Sequence, residues 1–447
     1  MNAVVIAVLA MLVLATLRVH VVLALFLGAL VGGSMAGLGL EATMVAFQEG
    51  LANGAKIALS YALLGAFAMA VAHSGLPKLL ADAMIRRLGG KSAAGKAAQW
   101  MKWGMIGSIV AMAVMSQNLV PVHIAFIPLL IPPLLAVMTI LKLDRRAIAC
   151  AMTFGLVTTY MFLPIGFGKI FLEGILLKNI AEAGLDVSGI NVMAAMGIPA
   201  LGMVAGLLIA VFVTYRRPRD YEEREAVEGS GPTTISMPKI AVALMALVAC
   251  FAIQTWLTLI GSKADALLVG ALVGLLIFVA TRAVRIAEAD EVFTGGMRMM
   301  ALIGFIMITA QGFAAVMEAT GQVAPLVDAT ARLFSDNRAI AAFVMLLVGL
   351  LVTMGIGSSF STLPIITTIY VPLCLALGFS PLATVSIIGT AGALGDAGSP
   401  ASDSTLGPTA GLNADGQHDH IRDTVIPTFI HFNLPLLAAG WVAAMVL

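Results

Sequence analysis

The chain has 447 residues, 60% of them hydrophobic and 11% charged, with a mean hydropathy of +1.02. Soluble domains carry about 25% charged residues, so this composition excludes a water-soluble fold and indicates an all-α polytopic membrane protein. A net charge of +1 argues against nucleic acid as a partner.

The first apolar run starts at Met1 with no basic residue ahead of it and passes into a second run after Arg18, so it reads as a first span and not as a signal peptide. Roughly 20 apolar residues cross a hydrocarbon core of about 30 Å. On that measure the first half holds spans at 2–17, 19–39 and 57–77, a broken segment at 104–141, a span at 146–182 interrupted at Pro164, and a last span at 190–214. Cys150, Cys250 and Cys374 lie inside apolar stretches without metal-ligand spacing and read as small core or lipid-facing residues. The longest polar stretch, residues 216–239, divides the chain into a first repeat at 1–215, a cytoplasmic linker and a second repeat at 240–447.

The repeat is visible when residues 44–83 are laid on 290–329 without a gap: Phe47 meets Phe293, Gly50 meets Gly296, Phe67 meets Phe313, Gly75 meets Gly321 and Asp82 meets Asp328. GALVG at 28–32 recurs at 270–274, SQNLVP at 116–121 falls near SFSTLP at 359–364, and Pro199 and Pro427 open the last span of each half. Each half then holds about five transmembrane helices plus one re-entrant hairpin. Five crossings are an odd number, which places the second repeat upside down. With the linker inside, 19 of the 25 Lys and Arg residues are cytoplasmic and Lys56, Lys169, Lys178, Lys263, Arg332 and Arg338 are outside. That bias follows the positive-inside rule and predicts a multi-pass protein of the bacterial inner (cytoplasmic) membrane.

A helix can be interrupted in hydrocarbon only where its freed backbone groups are buried in protein or line a cavity, so interruptions point at sites. Four are expected, in pairs: the two hairpin tips, and the segments 158–168 and 392–407. The second tip carries Gly357, Ser358, Ser359, Ser361 and Thr362, whose hydroxyls and loosened carbonyls suit a hard cation or the polar head of a small solute. The first tip carries Ser116, Gln117, Asn118 and His123. These nine are the candidate substrate-binding residues, against the reading in which a hydroxyl bonds its own helix backbone and His123 is a satisfied core imidazole. Asp396 and Asp403 sit in GDAGSPASDST with membrane-like flanks. A carboxylate there is costly unless a partner offsets its charge, which makes Asp396 and Asp403, with Ser399, Ser402 and Ser404, the candidate ion-coupling residues and a candidate Na+ site. Helix capping by Ser399, Ser402 or Asp403 is the other reading. His418 and His420, among Asp415, Asp419 and Asp423, read as a solvated loop or, alternatively, a pH sensor.

These residues carry a resemblance. GDAGSPASDST is similar to the GD-x-x-SP-x-SD-T signature of the Na+/H+ antiporter family that includes NhaC-type proteins, with Ala397 and Gly398 where that signature has His-Cys. The SQN hairpin with PVHIAFIPLLIPPLL, and LNADGQHDHIRDTVIPTFIHFNLP, resemble the YuiF-type branch of candidate amino acid or histidine permeases, over nearly the whole chain. The resemblance implies two inverted repeats, a scaffold domain that dimerises, a transport domain with two hairpins, elevator-type exchange, and Asp396 and Asp403 as the functional acids. The expected function is a secondary transporter coupled to Na+ or H+, with no other cofactor, moving a small amino acid such as histidine. A Na+/H+ antiporter without an organic substrate is the alternative. A membrane enzyme or scaffold ranks last, because no nucleophile is paired with a base and neither a metal motif nor a nucleotide loop is present.

Overall fold

The computed structural model describes residues 2–17, 19–76, 79, 96–118, 124, 126–165, 167–222, 236–322, 325, 337–356 and 359–447, and among them every regular element is helical. In chain order these are α1 (Ala3–Thr16), α2 (Val21–Met35), α3 (Gly39–His73), α4 (Lys96–Asn118), α5 (Phe126–Ile140), α6 (Arg145–Phe162), α7 (Phe167–Glu182), α8 (Val192–Thr214), α9 (Met237–Leu259), α10 (Ala266–Ala280), α11 (Ile286–Ala319), α12 (Arg338–Ile356), α13 (Ser359–Ala376), α14 (Pro381–Ala393), α15 (Asp403–Leu412) and α16 (His420–Val446). Short polar side chains start many of them: Asn2, Asp144, Asn191, Asp265 and Ser380 each accept a bond from the first turn of the helix they precede.

Among the described residues, α3, α8, α9, α12 and α16 are each long and apolar enough to cross a bilayer, and α6 with α7 forms a sixth candidate bent by 50°. The bend falls at Pro164, where a break was expected. α3 is the largest departure from the expected elements. It runs 35 residues, about 50 Å, where apolarity alone outlined 57–77. Glu41, Glu49 and Lys56 interrupt the apolar run without interrupting the backbone ladder, since all three are good helix formers. α12 ends at Ile356 and α13 begins at Ser359, so Ser359, Ser361 and Thr362 lie in the first turn of α13.

Packing falls into two groups. In the first, α3 lies along α11, α2 packs on α11, α10 packs on α3, and the hairpin-like pairs α1–α2 and α9–α10 flank them. The α3–α11 contact is close enough to demand glycine: a Cβ on Gly296 would lie 2.2 Å from the Ala66 Cα, the small-residue mode of helix packing in membranes. In the second, α4 packs on α6 and α12 on α14, while α8 touches α6, α14 and α16. α6 also packs on α15, which brings the two interrupted spans together.

At one end of this second group a charged cluster ties α6 to the loop after α15. Arg145 is fully buried and donates to both oxygens of Asp415 at 2.7 Å, while its guanidinium stacks 4.2 Å from the Tyr221 ring. Arg219 bonds Asp423 at 2.7 Å, and Arg146 bonds Asp144 at 2.6 Å. Residues 216–222 therefore lie as a strap over this end, joined also by paired bonds between Glu222 and Gln417 at 2.9 Å. Removing one partner of a buried pair leaves a bare charge in a low-dielectric site. Asp415→Ala should cost about 3–5 kcal/mol in stability, read as a lowered melting temperature in detergent. The double replacement Arg145→Met with Asp415→Leu should recover most of the loss, and equal destabilisation by both would mean the pair does not hold this end.

Candidate functional site

The helix begun by α14 stops at Ala393 and resumes at Asp403. The intervening loop turns through Gly395 and Gly398, whose φ values of +90° and +102° lie where other residues are strained. Gly398 is further confined because a Cβ there would meet the Phe429 Cα at 2.5 Å. Ser402 caps α15, accepting from the Ser404 amide at 3.1 Å, so the capping reading applies to Ser402. It does not exhaust that side chain, because the Ser402 hydroxyl also donates to Asp396.

Asp396 is the centre of the arrangement. Its carboxylate accepts from Ser402, from Ser404 at 3.2 Å and from the Tyr160 hydroxyl at 2.5 Å. The Tyr160 proton is thereby directed at the carboxylate, and the Ser359 hydroxyl, 3.0 Å from the Tyr160 oxygen, completes a chain from α13 to Asp396. Three hydroxyl oxygens, from α6, the α14–α15 loop and the first turn of α15, thus surround one carboxylate that is still partly accessible, with Ser359 of α13 behind Tyr160. Hydroxyl and carboxylate oxygens are the donors a hard cation takes, and hydroxyls equally stabilise a bare carboxylate. Among the described residues no group of three or more His, Cys, Asp or Glu is placed to hold a metal, so a transition-metal centre of side-chain ligands is not built here.

The other sequence candidates divide. Asp403 opens α15 and lies within electrostatic range of Asp396. The Ser399 side chain turns to the Ala401 amide at 3.2 Å, and its carbonyl accepts from Thr405 at 2.5 Å, so it shapes the loop without facing the carboxylate. Ser116 donates to the Ala113 carbonyl at 2.7 Å, the backbone-bonded state. Gln117 and Thr362 are buried in α4 and α13. Gly357, Ser358 and His123 lie outside the described residues, as do the side chains of Asn118 and Ser361. A cavity of about 560 Å³ opens beside α6 and α8, lined by Thr158, Thr159 and apolar side chains; the Asp396 group does not line it.

Tyr160 escaped the sequence reading because a tyrosine in an apolar helix has no motif, although its place in TTYMFLP beside a predicted break was a usable signal. Asn433 was missed in the same way. Its Oδ1 accepts from the Gly395 amide at 2.9 Å and its amide donates to the Ala397 carbonyl. The two loop histidines differ from the solvated reading: His418 is 2% and His420 5% exposed. Burial pushes the His418 imidazole down from 6.5 to about 3, with Asp423 opposing and Arg145, His420 and Arg219 assisting. His418 therefore stays neutral between about pH 5 and 8 and is not a sensor in that range.

Comparison with known proteins adds sequence kinship to this geometry. Residues 151–441 match the model of the Na+/H+ antiporter family, and residues 2–88 match a second model described as Na+-H+ antiporter family. A Vibrio parahaemolyticus protein named an uncharacterised membrane protein is 55% identical over 100% of both chains. A Haemophilus influenzae protein of the same description is 51% identical over 100% of this chain and 99% of its own. A Bacillus subtilis protein named as a candidate amino acid transporter, YuiF, is 50% identical over 100% of both. The solved YdaH transporter of Alcanivorax borkumensis is 15% identical over 91% of this chain and 88% of its own, with a TM-score of 0.40.

The His418 environment makes a pH prediction. Its folded value lies below its unfolded one, so its contribution to stability is complete above about pH 6.5 and is lost as pH falls towards about 3, by about 1.4 kcal/mol per pH unit inside that window. Thermal melts from pH 7.5 to 5 should fall more steeply for the wild type than for His418→Gln. Parallel slopes would show that the imidazole is not held neutral.

Proposed function

The chain belongs to the Na+/H+ antiporter family, and from that premise we propose that it is a secondary transporter in which Na+ or H+ occupies the Asp396 site and drives movement of a small amino acid such as histidine. It is a membrane transporter and not an enzyme. The observation that carries the ion assignment is the Asp396 carboxylate ringed by the hydroxyls of Tyr160, Ser402 and Ser404 inside an interrupted helix. An ionised carboxylate at membrane depth is costly. A proton or a cation relieves that cost, and an oxygen cage can exchange one for the other. Ser359 brings the α12–α13 hairpin into the same bond network, so occupancy of the site is felt by the hairpin proposed to cover the solute. Asp403, within range of Asp396, adds the second acid.

The amino acid substrate is supported by the name of the Bacillus subtilis relative. An inverted-repeat architecture is supported by exchanged contacts: α2 on α11 is answered by α10 on α3, α1–α2 by α9–α10, and α4–α6 by α12–α14. In this reading α1 to α3 with α9 to α11 form a scaffold that dimerises, the remaining helices slide past it as an elevator, and the 216–239 linker faces the cytoplasm of an inner membrane. The reading without an organic substrate is favoured by one observation of its own, that the described Asp396 network holds only ion-sized oxygen donors.

Purified protein in liposomes separates them. Labelled amino acids are supplied under an imposed Na+ or pH gradient, with an internal pH dye in parallel. Gradient-driven histidine uptake is the expected result. Proton movement triggered by Na+ with no uptake of any amino acid would replace it by the antiporter reading. Asp396→Asn should abolish coupled transport in either case, and unchanged coupled transport in that variant would remove Asp396 from the mechanism.

A further inference from the structure

The last helix, α16, is not a regular α-helix. It opens with a π-helical segment, His420–Val425, passes through Ile426–Thr428, and widens again over Phe429–Asn433. π turns are rare and concentrate at functional sites. Their effect here is rotational. His420 and Asn433 are 13 residues apart, and at about 100° per residue an unbroken α-helix would leave their side chains roughly 140° apart around the axis. Both nevertheless reach the same loop.

Asn433, with no exposure to solvent, holds the start of the 394–402 loop as a peptide group would, accepting from the Gly395 amide and donating to the Ala397 carbonyl. His420 holds the far end: its Nε2 lies 2.9 Å from the Pro400 carbonyl, and since a carbonyl has no hydrogen to give, the imidazole donates. A neutral ring then has Nδ1 as acceptor, and the Thr409 hydroxyl stands 2.8 Å from it. Thr424 lies 3.0 Å from Thr409, and His418 lies 2.7 Å from Thr424. The Pro400 carbonyl thus fixes which His420 nitrogen faces the loop, and a buried line of side chains, Thr409, Thr424 and His418, backs the other nitrogen. Between the two holds, Gly398 is pressed against Phe429 with no space for a side chain. Asp396 lies inside the first hold, between Gly395 and Ala397, and Ser402, one of its donors, follows two residues after the second.

We propose that α16 is a clamp on the ion site, with Asn433 and His420 as positioning residues that set the oxygen geometry around Asp396, and Thr409 as the group that orients His420. The clamp rests on the reading of Asp396 as the ion-coupling residue. Groups one shell out from a cation are worth about 10- to 100-fold in its affinity, whereas a group that only stabilises the fold changes how much active protein is present.

The test measures full-length protein in liposomes, with the driving-ion concentration at half-maximal rate titrated separately with NaCl and with pH. His420→Asn, too short to reach Pro400, and Asn433→Asp, which loses the donor to Ala397, should each raise the half-saturating ion concentration about tenfold or more. His420→Gln, which restores a donor at the Nε2 position, should return it to within about threefold of wild type. Thr409→Val, which keeps the side-chain shape, should shift it in the same direction as His420→Asn by a smaller factor. A lowered maximal rate with unchanged half-saturation in all of these, or indistinguishable effects of Asn and Gln at position 420, overturns the clamp. Coupled transport that survives Asp396→Asn overturns the ion-site reading beneath it, so the two failures are told apart.

Discussion

Hydrocarbon offers no hydrogen bonds, so every backbone group that leaves a helix inside the membrane must find its partner in the protein. Residues 394–402 leave the helical ladder in a mostly buried setting and meet the same requirement, since buried backbone groups need partners. The Gly395 amide is met by Asn433, the Ala397 carbonyl by the same amide side chain, the Ser399 carbonyl by Thr405 and the Pro400 carbonyl by His420. Each partner comes from α15 or α16, and none from lipid or solvent. The loop that carries Asp396 is therefore only as well placed as those two helices, and their packing on α6, α8 and α14 is a condition for the site and not merely a background to it.

The same constraint explains the chemistry of the neighbourhood. Serine and threonine hydroxyls are small enough for close helix packing and can satisfy carbonyls or a carboxylate as required. The chain uses them for both: Thr405 and Thr428 bond backbone carbonyls at the start of α15 and within α16, while Ser402 and Ser404 face Asp396. Tyr160 differs because it reaches from another helix. Its ring is packed edge-on to Phe171 at 4.8 Å and against Phe360 at 5.8 Å, so the hydroxyl is aimed by an aromatic cluster that belongs to α7 and α13. The donor set around Asp396 thus depends on the relative placement of both halves of the chain. A transporter that alters that placement alters the site with it.

At the opposite end of α15 the protein spends charge where the site spends hydroxyls. The buried Arg145–Asp415 pair and the Arg219–Asp423 pair fasten α6, the strap at 216–222 and the start of α16 into one cluster. Buried pairs contribute little net stability but punish any rearrangement that separates them. Their location at the foot of both α15 and α16 makes the held loop and its holding helix a single unit.

Much of this was legible in the sequence. Apolar length marked the helices, since burial of side chains in lipid needs no partner to be recognised. Pro164 and the glycines of GDAGSP marked the breaks, because a missing amide or a positive φ is a property of the residue itself. The carboxylate at Asp396 was marked by its cost. Ser402 and Ser404 stand beside it in the same motif; what could not be read was the donor from α6 and the side chains that hold the loop. Tyr160, Asn433 and His420 lie 236, 37 and 24 residues from Asp396 in helices that look apolar or loop-like on their own. Conversely, Ser116 and Ser399 have the right chemistry and turn to backbone. Local composition decides whether a segment enters the membrane and where its ladder fails; hydrogen-bond partners across the bundle are decided by packing, which depends on the rotation of each helix about its axis. In α16 that rotation is set by π turns that no pattern of apolar residues announces, and so the partners that α16 supplies to the loop belonged to the tertiary structure alone.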